Sequence, residues 1–433
     1  LNILFIVPYV PNKIRVRPYN WIRYLAQLGH QITLLTIWTS EEDRLALEEL
    51  DKYCDRIIPV NLPTWRSFFN CLTALPTKEP LQAAYSWDPN LAEELYKLAT
   101  QTNRPRAYDI VHVEHLRGAR YGIDLISRSA NRNPPLPIIW DSVDSISLLF
   151  RQTMVQSKSF LSRGLTRFEL GRTERYEGWL VDQFDRVLVT SEEDKLALLS
   201  LRTREGRIPG VEVLPNGVDL GYFSPAENGE RDDQTVVLSG KMSYHANISM
   251  VVGFIEDIMP LVWEKRPGVK VWLVGKDPSP RVLAYAQYPN IQVTGKVDDM
   301  RPYLTKATLS AAPISYGVGI QNKVLEAMAC ATPVIASQQA VSALGVEAGK
   351  DIVVADNSLD FANKVISLLD EREQRESVGR AGRQFVERNH DWAVLAARLE
   401  EVYTQSLNQQ STRNIRGDFE KLYPGKFMGI MKE

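Results

Sequence analysis

The sequence predicts an α/β protein built from two doubly wound, Rossmann-like domains. Three observations carry that expectation. Short apolar runs alternate with helical stretches along both halves of the chain. Several of those runs are bare of polar residues, the mark of parallel strands covered on both faces. A mixed-charge segment, AENGERDDQ, separates the halves, and 433 residues are enough for two or three cores.

In the first half, LNILFIVPYV opens with a buried strand and is too short and uncharged for a secretory leader. A helical stretch follows from Pro18 to Leu28, and QITLLTI is the second strand. Asp55–Val60 (DRIIPV) and Asp109–Val113 (DIVHV) are the next two, the latter after a polar helix at Leu91–Thr100. PLPIIWD and DRVLVTS continue the series. Functional residues are then expected at the carboxyl ends of the strands. The loop after the first strand, VPYVPNKIRVRPYN, has no glycine, which argues against an NAD or FAD fingerprint. It offers Lys13, Arg15, Arg17 and Asn20 instead, either as a solvated basic loop or as a wall facing phosphates or an anionic acceptor. Glu114 and His115 end the fourth strand. Asp141 and Asp144 (WDSVDS) end the next, to bind acceptor hydroxyls or to cap the following helix. Arg151 to Arg175 reads as a helical, locally basic stretch with Phe160, Leu161, Leu165, Phe168 and Leu170 interleaved. A solvated helix face explains it, and so does contact with an anionic membrane.

The second half repeats the pattern with TVVLSG, VKVWLVG, IQVTG, TLSAAP and PVIAS as strands. Amphipathic helices are expected after Asp351, followed by HDW (His390–Trp392) and a last helix to Leu407. The most informative stretch is SYGVGIQNKVLEAMACATPVIAS, Ser315 to Ser337. Gly317 and Gly319 precede a helix with Val324, Leu325, Met328 and Ala329 near one face, and Pro333 stops it. A glycine-rich turn into a helix gathers free backbone N–H groups and the positive dipole end, a site for phosphate. Lys323 would supply a cation there and Glu326 a carboxylate that can accept two vicinal hydroxyls; a helix that merely packs on a sheet, with both side chains solvated, explains the same residues.

That stretch resembles the donor-binding segment of family-4 glycosyltransferases, whose pattern is E-G-F-G-L-P-x-L-E-A-M-A-x-G-x-P-V-V. Gly319, Leu325 to Ala329, and Pro333-Val334 match; Val318 replaces the first glutamate and Ala331 the later glycine. The version G-I-Q-N-K-V-L-E-A-M-A is similar to an exopolysaccharide-associated subgroup. A second hallmark, P-N-G-V-D-x-x-x-F-x-P, is complete between Pro215 and Pro225. The resemblance implies the GT-B fold: residues 1–220 as an acceptor-binding domain, 221–392 as a nucleotide-sugar domain, and a central cleft between them. Residues 393–433 then form a crossing helix and tail. It implies Lys241, Lys323 and His115 as catalytic residues. The donor set is Gly240, Lys241, Val297, Gly319, Ile320, Gln321, Asn322, Lys323 and Glu326; acceptor contacts are Arg15, Arg17, Glu114 and Asp141. The family's second lysine after Gly240 falls on Asn247, and Lys323 is expected to supply the missing charge.

The expected activity is retaining, metal-independent hexosyl transfer from a nucleotide sugar to a glycan, lipid-linked or small-molecule hydroxyl in polysaccharide or glycoconjugate synthesis. The alternatives are an epimerase or hydrolase of the same fold, or a non-catalytic binding protein. No D-x-D cluster is expected to bridge a metal to the diphosphate, since Asp298-Asp299 falls in the loop assigned to the base. A net charge of −2 argues against a nucleic-acid binder. Three distant cysteines, Cys54, Cys71 and Cys330, fit a reducing, cytoplasmic compartment, peripheral to the inner membrane face if the basic helix meets it.

Overall fold

Seven strands build the first sheet of this computed structural model, which describes residues 1–100, 108–129, 136–156, 160–202, 210–226, 231–316 and 320–422. They are β1 (Asn2–Val7), β2 (Gln31–Trp38), β3 (Arg56–Asn61), β4 (Ile110–Glu114), β5 (Ile138–Val143), β6 (Arg186–Val189) and β7 (Gly210–Val213). All pair in parallel, in the order β3-β2-β1-β4-β5-β6-β7. Helices cover both faces, so residues 3 to 7 of β1 are all buried and the usual alternation disappears. Trp140, Tyr121 and Phe184 fill the core beside Leu35, Val113 and Val187.

A second sheet holds β8 (Thr235–Ser239), β9 (Lys270–Val274), β10 (Ile291–Gly295), β11 (Leu309–Ala312), β12 (Val334–Ser337) and β13 (Val353–Ala355). Its order is β10-β9-β8-β11-β12-β13, again parallel throughout. In each sheet the order reverses beside the first strand, between β1 and β4 and between β8 and β11. Loops leave such a switch point in opposite directions and open a crevice at the carboxyl ends of the strands.

Two compact units result: residues 1–150, 159–214 and 396–433, and residues 151–158 and 215–395. The expected boundaries therefore move. Residues 215–220 belong to the second unit, and residues from Ala396 onward are part of the first. Within the first unit Tyr403 Oη lies 2.7 Å from His112 Nδ1, and Arg398 Nη2 donates to the Val213 carbonyl at 3.2 Å. β13 is a strand where only helices were expected after Asp351. Three residues are too few for periodicity to register. The helical run His245–Lys265, with a π-turn at Phe254–Ile258, is long and apolar enough to cross a membrane. Half of its apolar window is buried in the second unit, as a core helix would be.

Candidate functional site

At the carboxyl end of β8 the chain passes through Gly240, with φ +140°. The neighbouring strand β9 is followed by Gly275, with φ +151°, and a Cβ there would collide with the Gly240 carbonyl. A Cβ on Gly240 would in turn lie 2.8 Å from Asn247 Nδ2 and 3.3 Å from Lys323 Cε. Glycine is required at both positions by backbone conformation and by close approach. The space released is occupied by polar groups. Lys323 Nζ donates to Asn247 Oδ1 at 2.7 Å, and Asn247 Nδ2 donates to the Lys241 carbonyl at 2.9 Å. Lys323 thus delivers its ammonium to the spot where the resembled pattern has a second lysine. Lys241 projects outward, half-exposed, 4.0 Å from Asp277.

The helix Asn322–Ala329 starts without a side-chain cap at Gln321, and Asn322 Oδ1 is buried with no hydrogen-bond partner. An uncapped, partly buried helix start is an anion site in waiting. Ile320 is buried behind it. Burial pushes the Glu326 carboxyl up to about 7, an effect Lys323 only partly offsets. Burial lowers Lys323 to about 8, with Glu326 pulling the other way. The helix ends in a Schellman pair: Thr332 N donates to the Ala327 carbonyl and Ala331 N to that of Met328, both at 2.9 Å. Ala331 takes φ +51° there, where the resembled pattern has glycine. Gly319 and Val318 fall outside the described residues.

Two aromatic side chains that sequence motifs did not single out flank the same switch point. His245, the first residue of the helical run after β8, stacks on Tyr316, after β11, with ring centroids 5.4 Å apart and planes 8° apart. His245 Nδ1 is 2.6 Å from the Tyr316 hydroxyl. Only the pairing of β8 with β11 brings them together, and no local pattern announces it. Val297, half-buried after β10, lines a hollow with Trp272 and Tyr303. Asp299 beside it is already engaged, accepting from Arg301 Nη2 at 2.8 Å and from the Tyr222 hydroxyl at 3.1 Å.

In the first unit the structure corrects two acceptor assignments. Arg17 is neither a solvated loop residue nor a free cation. It lies in the helix Val16–Gln27, buried, and grips Asp141 with Nε at 2.8 Å and Nη2 at 3.0 Å. Its Nη1 donates to the Leu214 carbonyl. Asp141 is fully buried and also accepts from Trp21 Nε1 and Val143 N, so its oxygens are spent inside the fold. Asp144 does not cap the next helix either. It accepts from Thr190 Oγ1, while Glu177 takes the N–H groups of Ile146 and Ser147. Arg15 pairs with Asp43 at 3.3 Å and remains half-exposed.

His115 begins the helix His115–Arg128 with φ +64°, an unusual conformation for a residue with a Cβ. Burial, aided by Arg117, lowers its pKa to about 3, so the ring is neutral. Glu114 is buried, accepts from the Tyr9 hydroxyl at 3.2 Å through Oε1, and holds Oε2 3.9 Å from His112 Nε2, beyond hydrogen-bond distance. Burial and the nearby Asp141 raise its pKa. With His112 and Asp141 it forms the one cluster among the described residues whose ligand atoms could surround a metal. Arg17 on Asp141 already neutralises one of those ligands.

The motif Pro215–Pro225 has a structural account. Val218 N donates to the His390 carbonyl, His390 Nδ1 meets the Asn216 carbonyl, and Gly217 packs so tightly on Trp392 that a Cβ would lie 2.7 Å from the ring. Asn216-Gly217 and His390–Trp392 are two halves of one junction.

Comparison with known proteins agrees with this architecture. Residues 15–222 match the family model described as Glycosyltransferase Family 4, and residues 233–371 the one described as Glycosyl transferases group 1. A GDP-mannose-dependent monoacylated alpha-(1-6)-phosphatidylinositol monomannoside mannosyltransferase of Corynebacterium glutamicum is 29% identical over 224 residues. That match takes in 46% of this chain and 57% of the relative, so the chain spans little more than half of that protein's length. A D-inositol 3-phosphate glycosyltransferase of an Arthrobacter species is 23% identical over 78% of this chain and 80% of its own. Among solved structures, sucrose-phosphate synthase from Thermosynechococcus elongatus superposes with a TM-score of 0.66 at 16% identity, covering 94% of this chain and 99% of its own. Anabaena HepE, solved with UDP and glucose, gives 0.62 at 13% identity, covering 94% and 100%. These likenesses show the GT-B fold with its two Rossmann-like domains. The chain belongs to the family-4 glycosyltransferases.

Proposed function

We propose that the protein is a retaining hexosyltransferase that moves a hexosyl residue from a nucleoside-diphosphate sugar to a hydroxyl acceptor. The acceptor is a glycan, a lipid-linked sugar or a small molecule, in polysaccharide or glycoconjugate synthesis. The convergence of Lys323 Nζ, Asn247 and Gly240 at the end of β8, above an uncapped helix start, is the observation that carries this reading. One partly buried ammonium beside a helix start suits a diphosphate that gains charge as its bond to the sugar breaks, and Lys241, half-exposed on the loop after β8, is assigned to the same diphosphate. Such preorganised charge supplies a large share of catalysis, about 3–4 kcal/mol for a single donor. Glu326, ionised, accepts the two ribose hydroxyls.

In the transfer the anomeric C–O bond to the diphosphate breaks, and the acceptor oxygen bonds to the same carbon on the same face. The acceptor proton passes to the departing phosphate oxygen, so no protein base is required. Lys241, Lys323 and the helix amides meet the leaving-group charge without a metal. His115, neutral, is assigned to the hydroxyls of the transferred sugar, and Val297 to the base through its backbone. An epimerase or hydrolase would need Glu114 or Asp141 at the anomeric carbon, and the burial of both argues against it.

A thermal-shift panel of UDP, GDP and ADP with their sugar conjugates, run in chelator, tests the reading. GDP and UDP head the panel because one relative is named for GDP-mannose and one structural neighbour holds UDP. One nucleotide class should raise the midpoint by a few degrees at 100 times its Kd. Glu326→Ala should lose that shift while keeping its own midpoint, and turnover should survive chelation. Silence across the panel, or strict dependence on a metal, overturns the proposal.

A further inference from the structure

The helix Thr64–Ala74 is amphipathic in reverse. Trp65, Phe68, Phe69, Leu72 and the following Leu75 occupy one face and are 70%, 65%, 58%, 46% and 45% exposed. The face turned inward carries Ser67 and Ala74, both buried. An apolar stripe of this width ordinarily packs on a core; here the small residues do so, and three aromatic rings stand in water.

The stripe does not end at the helix. Arg172, from the helix Phe160–Val181, donates to the carbonyls of Ala74 at 2.5 Å and Thr77 at 2.7 Å, and Glu169 accepts from Leu81 N at 2.8 Å. These bonds hold the two helices together. The second adds Leu165, 62% exposed, and Phe168, 48% exposed and stacked under the Arg172 guanidinium. In residues 64–81 and 164–181, which carry the apolar side chains, the exposed charges are Lys78, Arg167 and Arg175, while Arg66, Glu79 and Glu174 are half-buried. No acidic residue occurs between Leu62 and Lys78. Glu169 is buried against Arg172.

Exposed aromatic rings with a cationic border fit one partner. We propose that this face docks the protein on an anionic lipid surface. The Thr64–Ala74 helix lies in the plane of the interface with its rings below the headgroups, and Lys78, Arg167 and Arg175 meet lipid phosphates. The docking helix is thus a different one from the basic stretch that the sequence singles out, which contributes the border. The inference is independent of the donor site, since none of these residues takes part in it.

Flotation of the full chain with phosphatidylglycerol–phosphatidylcholine vesicles, against phosphatidylcholine alone, tests the proposal. The protein should float with the anionic vesicles, more weakly at high salt, and not with the neutral ones. Trp65→Ser/Phe68→Ser/Phe69→Ser should lower binding about tenfold or more, and Arg167→Gln/Arg175→Gln by about tenfold. All five residues are exposed, so both variants should keep the parent's melting temperature; if the triple variant fails to fold, the arginine pair decides. Equal flotation with both vesicles, flotation with neither, or parent-like binding by the variants overturns the proposal. A concentration-dependent dimer abolished by the triple serine variant also overturns it, assigning the face to a second copy.

Discussion

Glu326 and Lys323 sit on the first turns of one helix, and burial drives their pKa values toward each other, to about 7 and about 8. In the proposed donor site their protonation states would set the pH range of binding. Glu326 must be ionised to accept ribose hydroxyls, so affinity should rise as pH climbs through 7. Lys323 must be protonated to meet the diphosphate, so affinity should fall above 8. Calorimetric Kd values across pH should trace a bell, and Glu326→Gln should remove its acidic limb while leaving the alkaline one. Stability without ligand runs the other way. A carboxyl raised in the folded state holds its proton there, so its contribution declines as pH rises from the unfolded value toward 7. At the far end of the same helix, Ala331 holds a conformation that costs a residue with a Cβ about 1–2 kcal/mol. Part of that is recovered by glycine, less its entropy in the unfolded chain. Ala331→Gly should therefore stabilise the protein by about 0.5–1 kcal/mol in urea unfolding.

Helices and strands join into a sheet edge through buried charge, and Arg17 with Asp141 is the clearest case. The pair ties the helix after β1 to the end of β5 and, through Leu214, to the end of the first unit's main segment. Burial opposes ionisation of Asp141, yet Arg17 and His112 hold its pKa down to about 2. A depressed carboxyl stabilises the fold above its unfolded value of 3.8, and that contribution is lost as pH falls from there toward 2. Arg17→Met strips the buried carboxylate of its bidentate partner, leaving His112 as the cation beside it, and should cost about 3–5 kcal/mol at neutral pH. The double change with Asp141→Asn should recover most of it, by unfolding in urea. This pairing was not legible in the chain, because the partners are 124 residues apart and each alone resembles a ligand-binding side chain. The strands were legible, as was the helix from Asn322, because burial on both faces and glycine punctuation leave local marks. The outward stripe of Thr64–Ala74 left an equally strong mark, but periodicity records that a face is apolar and not which way it turns.

Each of the two units owns a sheet, a hydrophobic cluster and a switch point, and the proposed roles divide between them. The proposed phosphate and ribose contacts are residues 240–247 and 320–326 of the second unit. The aromatic stripe and its cationic border fall on the first. Sequence motifs point to one place in the second unit because the proposed donor residues lie on short contiguous segments. They misplaced the boundary because Pro215–Pro225 pairs with His390–Trp392, a junction formed only on folding. Hydrogen exchange can read the two roles in one chain. Saturating nucleotide at 100 times its Kd adds about 2.7 kcal/mol to the states that bind it, close to a hundredfold slowing of amides that exchange by opening the site. That slowing should appear at residues 240–247 and 320–326 and leave residues 64–75 unchanged. Anionic vesicles should do the reverse, protecting residues 64–75 and 165–179 and leaving the nucleotide segments as they were. If nucleotide slows exchange at residues 64–75 as strongly as at 320–326, the stripe belongs to the donor site and the division of labour fails. If vesicles protect nothing while nucleotide protects its segments, the membrane assignment falls and the transferase assignment stands.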